Sequence, residues 1–112
     1  MATQAQFQRL ALAFDGVIAG EHMQHADFRA NGRIFATLHP DSVRAMVKLT
    51  PVQQRARLQE FGTALEPASG AWGAQGCTMI ELAAVDQGTL TALLTDAWQN
   101  VMAANSKHTN KK

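Results

Sequence analysis

The dipeptide Asn31-Gly32 constrains this chain more than any other feature. Both central positions of a two-residue type I′ turn need positive φ, which Asn and Gly accept at least cost. The residues on either side, near 27–30 and 33–38, are therefore predicted to pair as an antiparallel hairpin. His39-Pro40-Asp41-Ser42 predicts a second turn, with proline suited to its i+1 position. A strand near 43–49 follows, and another near 17–23 precedes, so residues 17–49 read as an antiparallel meander.

Tight turns imply a register. A turn at Asn31-Gly32 pairs Ala30 with Arg33 and Phe28 with Phe35. A four-residue loop at 39–42 pairs Leu38 with Val43, Thr37 with Arg44, Phe35 with Met46, Ile34 with Val47 and Arg33 with Lys48. One face then carries Ile34, Ala36, Leu38, Val43, Ala45 and Val47, an aliphatic seat for helices. The other carries Phe28, Phe35 and Met46, flanked by Arg33, Arg44 and Lys48. Aromatic and basic groups interleaved in this way suit an anionic, stackable partner. Three large apolar groups in a row are equally what a core looks like, with the basic side chains reaching past them to water. A slip of one residue would exchange the faces.

Helices bracket the meander. Thr3 with Gln6 forms a capping box, and Phe7, Leu10, Ala11 and Phe14 follow at helical spacing until Asp15-Gly16. Thr50-Pro51-Val52-Gln53 opens a second helix, with Val52, Ala56 and Phe61 as its expected buried side and Gly62 as its stop. Pro67–Gly76 reads as a loop and Cys77–Leu82 as a further strand. A last helix from Asp86 to about Ala104 carries the stripe Leu90, Leu93, Leu94, Ala97, Trp98, Val101 and Met102. The expected architecture is α+β, an antiparallel sheet with helices on one face, in the order α-β-β-β-β-α-β-α. Residues 1–104 form one domain, and 105–112 a flexible basic tail.

The 112 residues suffice for one core, and 46 % apolar with 17 % charged residues is a globular composition. A single cysteine, Cys77, excludes an internal disulfide. With no leader-like N-terminus and no apolar run of spanning length, a cytoplasmic location is expected, with no membrane partner. The formal net charge of +1 conceals an asymmetry, because three of the ten basic residues lie in the tail. Residues 1–104 hold seven Lys/Arg against nine Asp/Glu, a net charge of −2. A protein that grips nucleic acid through phosphates usually has a clear basic excess, so any such role must rest on a local patch.

Few residues suggest chemistry. Glu21-His22-x-x-His25-x-Asp27 resembles a loose metal cluster, but histidines three apart on a strand point to opposite faces. No metal site is assigned. Cys77 has no local activating group and reads as a small buried hydrophobe rather than a nucleophile. The glycines at 70, 73 and 76 precede a strand and lack the Lys-Ser/Thr of a phosphate loop. Trp72 within them is either a lid packed on the core or a ligand contact. No cofactor motif is present, and a non-catalytic binding role is expected.

Taken together, several blocks resemble the MmcQ/YjbR family of small bacterial proteins often labelled DNA-binding. They are His25-Ala26-Asp27-Phe28-Arg29, Gly32-Arg33-Ile34-Phe35-Ala36-Thr37-Leu38, Val47-Lys48-Leu49 with Pro51, Trp72-Gly73-x-x-Gly76, Leu82-Ala83-Ala84-Val85-Asp86, and Ala97-Trp98. The resemblance covers nearly the whole chain and implies a frataxin/CyaY-like fold. It also implies weak DNA binding, to which Arg33 and Lys48 are the matching basic positions. The full candidate set is Arg33, Phe35, Arg44 and Lys48 for nucleic acid, with Trp72 for a ligand. Cys77 departs from the family, in which an aromatic residue is common after that glycine. A protein or small-ligand partner is the alternative, with a monomer or weak homodimer expected. Frataxin-type iron handling resembles a carboxylate-rich ridge on the first helix and first strand, and here the first helix has no acidic residue before Asp15.

Overall fold

The structure, a computed structural model, describes residues 2–22, 25–41 and 43–110, with the side chains of residue 22 and residues 104–110 left aside. Helix α1 (Gln4–Leu12) leads into strands β1 (Ile18–His22), β2 (His25–Ala30), β3 (Arg33–Leu38) and β4 (Arg44–Lys48). Helix α2 (Pro51–Phe61), a 3₁₀ turn, the short strand β5 (Leu65–Pro67), the one-turn helix α3 (Gly70–Ala74), strand β6 (Cys77–Glu81), a second 3₁₀ turn and helix α4 (Gln87–Asn110) complete the chain. The strands form one antiparallel sheet in the order β1-β2-β3-β4-β6-β5. The α+β class and the α-β-β-β-β-α-β-α succession are as the sequence predicts. The added α3 lies within the expected loop Pro67–Gly76, and the added β5 runs up to its first residue. None of the described helices is long and apolar enough to cross a membrane.

Local signals act as chemistry requires. The Thr3 and Gln6 side chains each take the other's backbone N–H, and Thr50 and Gln53 do the same at α2, whose first position is Pro51. Asn31 (φ 54°) and Gly32 (φ 73°) both occupy the left-handed region that their turn needs. Asp86 accepts from the Thr89 backbone N–H at 2.8 Å and caps α4. Helix α4 continues to Asn110, past the end expected near Ala104.

The helices cover one sheet face. Phe28, Ala36, Leu38, Ala45, Val47 and Ile80 meet Leu90, Leu93, Leu94 and Ala97 of α4, with Phe7 and Ala11 of α1, in one fully buried cluster. Phe7 and Phe28 pack edge to face at 5.8 Å. Trp98 flanks this core: it is half-buried, stacks on Phe14 at 5.3 Å, and its indole N–H donates to the Asp15 carbonyl at 3.0 Å.

Three expectations need correction. First, β2 and β3 are not paired without interruption. Ala30–Arg33 and Arg29–Ile34 are partners, but Phe28 then faces Ala36, leaving Phe35 as the extra residue of a bulge. The bulge turns Phe28 and Phe35 into the core, where they are 1 % and 0 % exposed, and sends Ile34 to the opposite face. Second, β3 and β4 are shifted by two residues, pairing Thr37 with Met46 and Leu38 with Ala45. The Asp41 carboxylate binds the N–H groups of Val43 and Arg44, which widens the loop and leaves Val43 exposed. Third, α2 does not bury Val52 and Ala56. Val52 is 66 % exposed, and the inward residue is Gln54.

Candidate functional site

The sheet face away from α1 and α4 is not flat. A groove of about 360 Å³ crosses it, between the strand surface and the β5-to-α3 connection. Its floor follows from the register. Met46 and Met79 are direct cross-strand partners on β4 and β6, and Thr37 lies opposite Met46 on β3. Two residues further along, Lys48 and Cys77 are partners and close one end. At the other end the His25 and His39 rings meet edge to face at 5.7 Å. His39 is held there by its backbone N–H, which donates to the Arg44 carbonyl at 2.9 Å. Ile34, brought outward by the bulge, completes the apolar lining.

Trp72 supplies the wall above the Lys48 end. It stands on α3 and is 63 % exposed, unusual for so large an apolar side chain. Its helix is held very closely. A Cβ on Gly73 would lie 1.8 Å from the Ala68 carbonyl oxygen, so only glycine fits beneath Trp72. From below, the buried Gln54 amide of α2 donates to the carbonyls of Gly73 (3.2 Å) and Cys77 (3.1 Å) and lies 3.1 Å from the Thr78 hydroxyl. These contacts add a second donor to carbonyls that already accept from the Gly76 and Ala68 backbone N–H groups, and so tie α3 and the start of β6 to α2.

Charge around the groove is mostly paired. Asp27, fully buried on this face, takes Arg29 through two hydrogen bonds of 2.8 and 3.1 Å, and that carboxylate raises the Arg29 pKa. The Arg44 guanidinium binds Asp41 at 2.8 Å and lies opposite Glu81 across the sheet. Chiefly the Val43 N–H, with Arg44 and His39, holds the Asp41 carboxyl at a pKa of about 2. Lys48 is different. Among the described residues it has no carboxylate partner, although its ammonium lies close enough to Cys77 to act on its thiol. Burial outweighs that influence and pushes the Cys77 pKa up.

The five candidate residues thus separate. Lys48 and Trp72, expected at different sites, line one groove. Phe35 is in the core and cannot stack on a base, because the bulge rotates it inward. Arg44 is committed to Asp41. Arg33 is exposed beside the hairpin turn and is not part of the groove. Sequence reasoning missed Met79, Thr37, His25 and His39 as groove residues. Met79 depends on β6 lying beside β4, which no local pattern announces, and Thr37 on the β3–β4 register that sets it opposite Met46. Among the described residues no group of three His, Cys, Asp or Glu could hold a metal ion, and the His22 side chain of the loose cluster lies outside them.

A family model, YjbR, matches residues 12–100. The chain belongs to the YjbR family. The match takes in all six strands, α2, α3 and most of α4, hence every residue of the groove. The fold of this YjbR chain is similar to the crystal structure of Deinococcus radiodurans protein DR2400, which carries a DUF419 domain. The TM-score is 0.75 at 15 % identity, over 90 % of this chain and 79 % of that one. At that identity the likeness speaks for the fold alone. A comparison with curated proteins finds no match.

Proposed function

We propose that this YjbR chain is a non-catalytic binding protein that holds a small ligand in the groove beneath Trp72. The observation that carries this reading is the exposed Trp72 indole standing beside a concave, largely apolar surface that contains Lys48, which has no carboxylate partner among the described residues. Small-ligand sites combine these features: apolar walls for affinity and one or two polar groups for orientation. An indole left in water gains most when a ligand covers it.

The state of Cys77, the groove's thiol, supports the non-catalytic reading. Nucleophilic thiols have depressed pKa values, whereas burial raises this one.

A nucleic-acid partner fits the geometry less well. Of the basic face expected from sequence, Phe35 is buried and Arg44 is ion-paired, which leaves Arg33 and Lys48 in different surroundings. Two separated cations on a body of net charge −2 give few phosphate contacts.

The test is a fragment screen followed by the Trp72 indole resonance, with single-stranded and duplex DNA titrated across a salt series in parallel. Fragments are expected to shift Trp72, and Trp72→Ala should abolish their binding. DNA should bind negligibly at physiological salt. Micromolar DNA affinity with a salt slope of about 2 or more, reduced by about one in Arg33→Ala, would overturn the reading.

A further inference from the structure

We propose that the groove selects a flat aromatic monocarboxylate, with its carboxylate at Lys48 and its ring between Trp72 and the Met46–Met79 pair. The proposal rests on reading the groove as a ligand site and adds the class of ligand.

The register sets the length of the site. On β4, Lys48 marks one end and the level of Arg44 the other, where His39 and His25 sit. Four residues of strand span about 13 Å, enough for a one- or two-ring molecule with a polar group at either extremity.

The floor favours a flat ring over an aliphatic chain. Met46 and Met79 face each other directly and present two polarizable thioethers, which pack well on aromatic rings. Trp72 provides a π surface on the same groove. Thr37 lies along the side, and the His25 and His39 rings close the far end.

Charge decides the anion. Among the described residues Lys48 is the one lysine or arginine lining the groove, and it is half-buried without a carboxylate partner. A partly desolvated ammonium gains from one compact anion. A phosphate carries more charge and is normally held by an arginine fork or a nest of backbone N–H groups. Arg44 and Arg29, the nearby arginines of this face, are already bound to Asp41 and Asp27. One cation with an apolar floor therefore matches a carboxylate better than a nucleotide.

The experiment uses the full chain and three probes: 2-naphthoate, its neutral amide 2-naphthamide, and cyclohexanecarboxylate. The ¹H–¹⁵N spectrum contains two indole resonances, from Trp72 and Trp98, assigned with Trp72→Phe. Trp98 is an internal reference, since its N–H is held by Asp15 on the opposite side of the sheet. 2-Naphthoate should shift Trp72 saturably and leave Trp98 in place. The amide and the non-aromatic acid should each bind at least about fivefold more weakly. Lys48→Gln should reduce naphthoate to the level of the amide and weaken the amide far less, and an unmoved Trp98 resonance certifies its fold. Equal binding of acid and amide, or indifference to Lys48→Gln, overturns the carboxylate assignment while the groove remains a ligand site. Equal binding of the non-aromatic acid overturns the flat-ring assignment. If none of the three moves Trp72 at about 5 mM, the ligand class is wrong, and the fragment screen decides separately whether the groove binds anything.

Discussion

The side-chain amide of Gln54 on α2 donates to the main-chain carbonyl of Gly73, 3.2 Å away on the helix that carries Trp72. A polar residue in the middle of α2 thus holds the wall of a groove that opens on the other side of the sheet. Replacing it with leucine would remove one donor from each of the Gly73 and Cys77 carbonyls, which keep the Gly76 and Ala68 N–H groups, at a cost of about 1–3 kcal/mol for the two hydrogen bonds. Gln54→Glu should cost more, because a carboxylate would face those same carbonyls. Urea denaturation checks both, and a Gln54→Glu protein as stable as Gln54→Leu would contradict the donor role.

Phe35 gives a clean separation of core from surface. Because it is fully buried in the bulge of β3, Phe35→Ala should lose about 3–5 kcal/mol, a large part of a small domain's stability. The check is a denaturant midpoint; wild-type stability in the variant would place the ring outside.

Trp98 makes two separable contributions. Trp98→Phe keeps a ring against Phe14 but loses the hydrogen bond to Asp15, which predicts a loss of about 1 kcal/mol. Trp98→Ala also loses the packing and should cost about 3 kcal/mol. Equal losses in the two variants would mean that the stacking contributes nothing.

Asp41 should produce an acid-side signature. Its folded pKa of about 2 lies below the unfolded value of about 3.9, so its stabilising effect is complete above about pH 4 and disappears as pH falls through about 2. The melting temperatures of parent and Asp41→Ala proteins should differ at neutral pH and converge across that window. A gap that persists unchanged at pH 2 would assign the effect to the loop's shape instead of its charge.

Cys77 should be a slow thiol. Burial raises its pKa and restricts access, so its reaction with a disulfide reagent at pH 8 should run more than about tenfold slower than that of free cysteine. Lys48→Gln removes the one influence that lowers this pKa, and should slow the reaction further. A faster rate in Lys48→Gln would mean that the lysine acts as a cover, not as a charge.

The features legible in the sequence are those whose cause is local. Two capping boxes, the Asn31-Gly32 turn and the apolar stripe from Leu90 to Val101 each depend on residues within a turn or two, and each is where the pattern put it. The bulge at Phe35 was not legible, because it answers to packing against α1 and α4, not to a pattern within β3. One extra residue there moved Phe28, Ile34 and Phe35 across the sheet, while the two-residue shift at β3–β4 kept Ala36, Leu38, Ala45 and Val47 on the predicted face. Lys48 and Trp72 were both noticed, yet their meeting depends on the placing of β6 and on the Gly73 contact, both long-range.

The strand order also decides how copies of this chain can associate. Its outer strands are β1 and β5, and they are unequal. Strand β5 has three residues, of which Glu66 is charged and Pro67 has no N–H to offer a newcomer. Strand β1 is five residues long and contains no proline. Open-ended assembly by strand addition needs two receptive edges on every molecule, so that each copy accepts one neighbour and offers itself to another. A sheet receptive on one side alone closes after a single symmetric pairing, and fibrous growth stops there.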